Sequence, residues 1–165
     1  MNVITRAFLS TAVVAGLAVS FAIVAHHADA QSVTSNPFRP IVGWGELPEG
    51  RSWGSTSAVE IAADGNIWVA ERCGANTCVG SDVDPVLLFN KDGELLRSFG
   101  SGMFAWPHGI DVEHDGNLWI AVAWREGATT TGHAVLKFSP QGELLMTIGE
   151  PGQRGDPPNR LTRPS

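Results

Sequence analysis

Two stretches of the chain alternate apolar and polar positions in the same way. Ser57-Ala-Val-Glu-Ile-Ala-Ala-Asp-Gly-Asn-Ile-Trp-Val-Ala70 and His108-Gly-Ile-Asp-Val-Glu-His-Asp-Gly-Asn-Leu-Trp-Ile-Ala121 superpose without a gap. A variable loop follows each, and then a second matching pair: Pro85-Val-Leu-Leu-Phe-Asn-Lys-Asp-Gly-Glu-Leu-Leu-Arg-Ser-Phe-Gly100 and Ala134-Val-Leu-Lys-Phe-Ser-Pro-Gln-Gly-Glu-Leu-Leu-Met-Thr-Ile-Gly149. Alternation with period two, broken by Asp-Gly and Gln-Gly turns, predicts strands joined by hairpins. Each unit carries four: strand A around Val59 and Ile61, or Ile110 and Val112; strand B over Ile67–Val69, or Leu118–Ile120; strand C over Val86–Phe89, or Val135–Phe138; strand D over Glu94–Phe99, or Glu143–Ile148. Four antiparallel strands at a repeat of about fifty residues describe a blade of a β-propeller. The Trp and Phe positions are expected in the core.

The expected fold is therefore all-β, with about two blades and the start of a third. Residues 43–100 and 101–149 form the blades, and 150–165 lead into another, with Arg163-Pro164-Ser165 matching Trp106-Pro107-His108. A six-bladed ring at this period takes roughly 250–300 residues, so the ring is expected to be incomplete within this chain.

The first thirty residues follow another rule. Arg6 precedes an uncharged apolar run over Ala7–Ala25, which ends in Ala28-Asp29-Ala30 before Gln31. That is the layout of a cleaved secretory signal, with an uncleaved anchor helix as the alternative. Residues 31–42 read as a linker, and the product is expected in the periplasm or outside the cell. The formal net charge is −6 with the acidic residues scattered, and no basic patch suggests nucleic acid. No membrane contact beyond the signal segment is expected.

Composition adds two chemical candidates. Cys73 and Cys78 are the only cysteines. Export into an oxidising compartment favours a local disulfide. A metal pair is the other reading, with Glu71, Asp82 and Asp84 as the nearby carboxylates. The chain direction reverses at each strand, so Arg72, the cysteine loop, His108 and His133 should emerge at one end of the blades. His114 should lie at the other end, about 20 Å from His108 at strand rise. The two cannot share a metal. Taken alone, His108 is a polar residue closing the start of a strand, and Arg72 a solvated loop arginine.

The block Phe104-Ala-Trp-Pro-His-Gly-Ile-Asp-Val-Glu-His-Asp-Gly-Asn-Leu-Trp-Ile120, with Gly132–Phe138 and Leu144–Gly152, resembles the NHL-repeat propellers. Within them it is most similar to the peptidyl-α-hydroxyglycine α-amidating lyase family and its bacterial relatives. The resemblance covers about Val42–Ser165. It implies a six-bladed propeller that cleaves a C-terminal α-hydroxyglycine to an amide and glyoxylate. It further implies that His108, in its Pro-His-Gly block, is the first of three zinc histidines, and that Arg72 lies near the substrate. The carbonyls of Val59 and Ile110 would bind a structural calcium. Zinc would act as a Lewis acid on the hydroxyl or its alkoxide.

The sequence departs from that pattern. The family's base is a tyrosine, and this chain has none. The other two zinc histidines and the calcium aspartate belong to later blades. Where the family has Asp after strand B of the histidine blade, Val122-Ala123-Trp124 and a longer loop through Thr131 follow. The expectation is an exported portion of a lyase-like propeller, inactive by itself, with incomplete zinc and calcium sites. The alternatives are a binding module that completes its ring by self-association and presents its loop face to a peptide or small molecule, or a propeller of the gluconolactonase or streptogramin-lyase type.

Overall fold

The computed structural model describes residues 36–165. The expected export segment, 1–30, lies outside them. The chain divides after Arg39: residues 36–39 carry no regular structure, and Pro40–Ser165 forms a compact unit. Among the described residues no helix is long and apolar enough to cross a membrane.

Eight strands form two four-stranded antiparallel sheets, each in chain order. The first contains β1 (Thr56–Ile61), β2 (Ile67–Glu71), β3 (Val86–Phe89) and β4 (Leu95–Phe99). The second contains β5 (Trp106–Val112), β6 (Leu118–Ala123), β7 (Ala134–Phe138) and β8 (Leu144–Ile148). Each sheet is one blade, as the repeat predicts, with β1 lying next to β5. The strands run longer than the apolar motifs suggest: strand B continues to Glu71 and to Ala123 because its pairing with strands A and C continues. Strand D begins one residue later than expected in both blades, because Glu94 and Glu143 still close the turn through their carbonyls, to Asn90 and Ser139.

The repeat extends to the irregularities. The β1–β2 register slips between Thr56 and Ala58, and the β5–β6 register slips between Pro107 and Ile110. Further along, β3–β4 slips at Leu88/Phe89 and β7–β8 at Lys137/Phe138. Each bulge falls at the same repeat position in both blades. The A–B hairpins also match. Asp64 Oδ1 accepts the Asn66 amide at 2.9 Å, and Asp115 Oδ1 accepts the Asn117 amide at 3.2 Å. Gly65 and Gly116 stand at φ 83° and 88°, a region open to glycine.

A blade is apolar on both faces, and each face needs a cover. Trp68, Val86 and Phe99 of the first blade pack on Leu118, Ile120, Val122, Leu136 and Phe138 of the second. The Phe99 and Phe138 rings are 5.0 Å apart, and Phe104 from the connecting segment closes on Phe138 at 5.9 Å. The contact leaves no slack: a methyl group at Gly142 would stand 2.7 Å from the Phe99 side chain. The opposite face of the first blade, Val69, Leu87 and Phe89, is covered by the segment before β1. Trp44 and Trp53 lie 5.4 and 5.6 Å from Phe89. Their indole N–H groups donate to the carbonyls of Lys91 and Gly45. Trp44 is half-buried in this cover, whereas Trp53 stays 37% exposed and lies on its outer side.

The far side of the second blade differs. All five residues of β8 are exposed. Where the first blade has Ala62 and Leu88 packed against the core, the second has Glu113 and Lys137, paired at 2.7 Å. Glu113 also accepts the Trp119 indole N–H at 2.6 Å, and Lys137 lies over that ring. The hydrogen bonds from Lys137 and then Trp119 hold the Glu113 carboxyl well below its ordinary value, at about 2. A carboxyl lowered on folding contributes stability above its unfolded value near 4.5 and loses it as the pH falls toward 2. Glu113→Gln is therefore expected to lower the denaturation midpoint at pH 7 and to leave it unchanged near pH 2. Parallel denaturant titrations at the two pH values check this.

Glu71 is fully buried and anchors the segment before β1. Its Oε1 receives Arg51 at 2.6 Å, and its Oε2 receives the amides of Gly74 and Gly54 at 2.9 and 3.2 Å. Arg51 also donates to the Asp84 carbonyl. Removing one partner of a buried pair strands the other's charge, at a cost of about 3–5 kcal/mol. Glu71→Ala is expected to destabilise by that amount in chemical denaturation. The double substitution with Arg51→Met should recover most of the loss.

Candidate functional site

Strand A starts, strand B ends and strand C starts at one end of each blade. The bulge between Pro107 and Ile110 falls on His108 and Gly109, opposite the single residue Ala121. A bulge re-aims the side chains it contains. His108 is half-buried there, with its ring edge-on to Trp106 at 5.6 Å.

Arg72 follows β2 and reaches the same indole. Its guanidinium lies 4.1 Å from the Trp106 ring centre. Nη1 donates to Asn76 Oδ1 at 2.6 Å, and Nε to the Pro107 carbonyl at 3.3 Å. Trp106 thus brings Arg72 and His108 together, and Arg72 is a stacked, half-buried cation rather than a solvated one. Arg125, from the second blade's loop, lies over the same ring at 5.0 Å. Burial first, and Arg125 second, lower the Arg72 pKa from its ordinary value, and a guanidinium keeps its charge through such a shift.

The loop that carries Arg72 is closed by a disulfide between Cys73 and Cys78, whose Cα atoms are 5.2 Å apart. The alternative of a metal pair fails: both thiols are used, Glu71 serves Arg51, and Asp84 accepts the Ser98 hydroxyl and the Ser101 amide. The Cys78 amide donates to the Ala105 carbonyl at 2.9 Å, tying the loop to the lead into β5.

His133 lies just before β7 and is 5% exposed. Its ring stacks on Trp124 at an interplanar angle of 11°, and its Nδ1 accepts the Arg163 amide at 3.2 Å. His114 sits in the A–B turn at the other end. Val59 and Ile110 occupy equivalent places in β1 and β5, paired with Val69 and Ile120.

A catalytic zinc takes three protein ligands, and calcium six to eight oxygens. Among the described residues no three His, Cys, Asp or Glu side chains converge. His108 alone, and the carbonyls of Val59 and Ile110, do not fit a complete site for either ion.

Several partners here escape a reading of the sequence alone. Trp106 reads as core but serves as a platform for Arg72, Arg125 and His108. Glu71 reads as a spare carboxylate but is a buried anchor; the signal available was its alignment with Val122, an apolar position in the other blade. Arg125 and the Trp124–His133 stack lie in the loop where the two blades differ, so the repeat says nothing of them.

No protein-family model matches the chain. NHL repeat-containing protein 3 of Homo sapiens is 30% identical over 128 residues, covering 75% of this chain and 33% of that protein. Peptidyl-alpha-hydroxyglycine alpha-amidating lyase 2 of Drosophila melanogaster is 32% identical over 76 residues, 46% of this chain and 17% of that protein. Peptidylglycine alpha-amidating monooxygenase of Rattus norvegicus is 30% identical over 86 residues, 50% of this chain and 8% of that protein. The chain spans about a third of the length of NHL repeat-containing protein 3. With two four-stranded blades and these relatives, the chain is a distant homologue of NHL repeat-containing protein 3 and of the peptide-amidating enzymes.

Proposed function

We propose that this chain contributes two blades to an exported NHL-type propeller related to the amidating lyases, and that its loop end around Arg72, Trp106 and His108 faces a ligand. The observation that carries this reading is the meeting of Arg72 and His108 on one indole, since those are the two residues the family resemblance assigns to substrate and zinc. The disulfide in the Arg72 loop fits an oxidising compartment. In this reading His108 supplies one zinc imidazole, and the carbonyls of Val59 and Ile110 supply two calcium ligands. The remaining ligands come from further blades, either of a longer chain or of associated copies. No step of the lyase reaction is assigned to these residues, because the ligand set among the described residues is partial and the sequence has no tyrosine.

The exposed β8 favours association. Leu144, Leu145, Met146 and Ile148 are each 40–50% exposed on that one strand, and unpaired strand edges with apolar surface recruit partners.

The chain by itself is expected to show no turnover of α-hydroxyglycine peptides above background and no tight stoichiometric zinc binding. Glyoxylate release with added zinc, measured beside isothermal zinc titration, checks both. Turnover abolished by either Arg72→Gln or His108→Ala would contradict the proposal, because it would require a complete centre without a tyrosine base.

A further inference from the structure

A second feature at the loop end has no place in the lyase reading. A cavity of about 520 Å³ is lined by Trp124, His133, Gly152, Arg154, Thr162 and Arg163. Neither Arg72 nor His108 borders it. Its volume lies in the range of small-molecule sites, which combine an aromatic wall with a few convergent polar groups.

The walls are fixed. The Trp124 indole N–H donates to the Ala128 carbonyl at 3.1 Å, which sets the ring against His133. His133 is buried and has a left-handed backbone at φ 57°. Its Nδ1 is taken by the Arg163 amide, so Nε2 is the ring nitrogen left for a ligand. Gly152 is pinned to the Gly132 carbonyl at 2.9 Å. The Arg163 guanidinium lies 5.7 Å from the Trp124 ring centre.

The charge of the lining has one sign. Arg154 and Arg163 form no ion pair among the described residues, whereas Arg160 nearby is paired with Glu150. No Asp or Glu lines the cavity. Both arginines are exposed residues at the rim, and burial, then Arg154, then Arg163 push the His133 imidazole below its ordinary value. Two unpaired guanidiniums beside a flat aromatic wall suit an anion with a planar body, because guanidinium forks match carboxylates and indole faces stack on flat groups.

We propose that this cavity binds a small organic carboxylate with a flat apolar body, held by Arg154 and Arg163 and stacked on Trp124. The site is separate from the one at Arg72 and His108, so its failure leaves the lyase-related reading untouched, and the reverse also holds.

The test is titration of the chain with benzoate, with benzamide as the uncharged control, followed by the Trp124 indole and His133 ring resonances. Benzoate is expected to shift both and to raise the His133 pKa, because a bound carboxylate stabilises the imidazolium. Benzamide should shift neither. Arg154→Gln and Arg163→Gln should each weaken benzoate at least tenfold, and Arg154→Lys less. Arg160→Gln should leave binding unchanged. In the free protein Arg154→Gln should also raise the His133 pKa, an effect that loss of the fold would not mimic in a protein with an unchanged spectrum elsewhere. Equal affinity for benzoate and benzamide, undiminished binding by both glutamine variants, or benzoate saturation without a change at His133 would each overturn the proposal.

Discussion

The structure depends on the contact between the two blades. A four-stranded sheet of this length cannot bury its own apolar faces, and the Phe99–Phe138 contact, with Trp68 and Phe104 beside it, supplies the cover for one face of each. Removing a Phe side chain from water stabilises by about 1.5–3 kcal/mol, so a handful of such residues decides whether the sheets stay together. The same contact sets where the loops go. It holds β5 beside β1, and so brings the start of β5, with Trp106 and His108, within reach of Arg72 from the end of β2.

Much of this was legible because the sequence repeats. Strand number, strand order and hairpin positions follow from two aligned motifs, since alternation and Gly turns are local signals. Trp68 lies in the core as expected, whereas its counterpart Trp119 is half-buried against Glu113 and Lys137. His108 and Arg72 were expected at one end by counting reversals of the chain, and they stand there. The disulfide was legible from the spacing of Cys73 and Cys78 in a chain that reads as exported. What escaped depends on contacts between segments distant in sequence. Nothing local to Arg51 or Glu71 says that they pair across twenty residues. The Trp44 and Trp53 cover for Phe89 lies in a segment without strand periodicity. The stack on Trp106 needs residues from three stretches of chain, and the Trp124–His133 cavity needs the segment after β8.

The loop end gathers cation and aromatic side chains at two places. Arg72 and Arg125 share Trp106, and Arg163 lies over Trp124. Burial lowers the pKa of both Arg72 and His133, with neighbouring guanidiniums as the next cause. The chain as a whole is acidic, so this local excess of positive charge is a property of the loops and not of the composition. The opposite end carries the Asp-Gly-Asn turns and His114, and its polar contacts are mostly the turns' own. The scaffold is therefore nearly repeated between blades, while the chemistry gathers where the B–C loops, which share no sequence between the blades, meet the start of β5 and the segment after β8.

The central claim is that the two blades form one cooperative unit through their shared face. Hydrogen exchange of a Phe138→Ala variant tests it most directly. Deleting this buried ring costs about 3–5 kcal/mol. If the blades are one unit, amides in β2 and β3 should lose protection by the same amount as those in β6 and β7. Protection retained in β2 and β3 while β6 and β7 exchange freely would show two independent sheets and contradict the account.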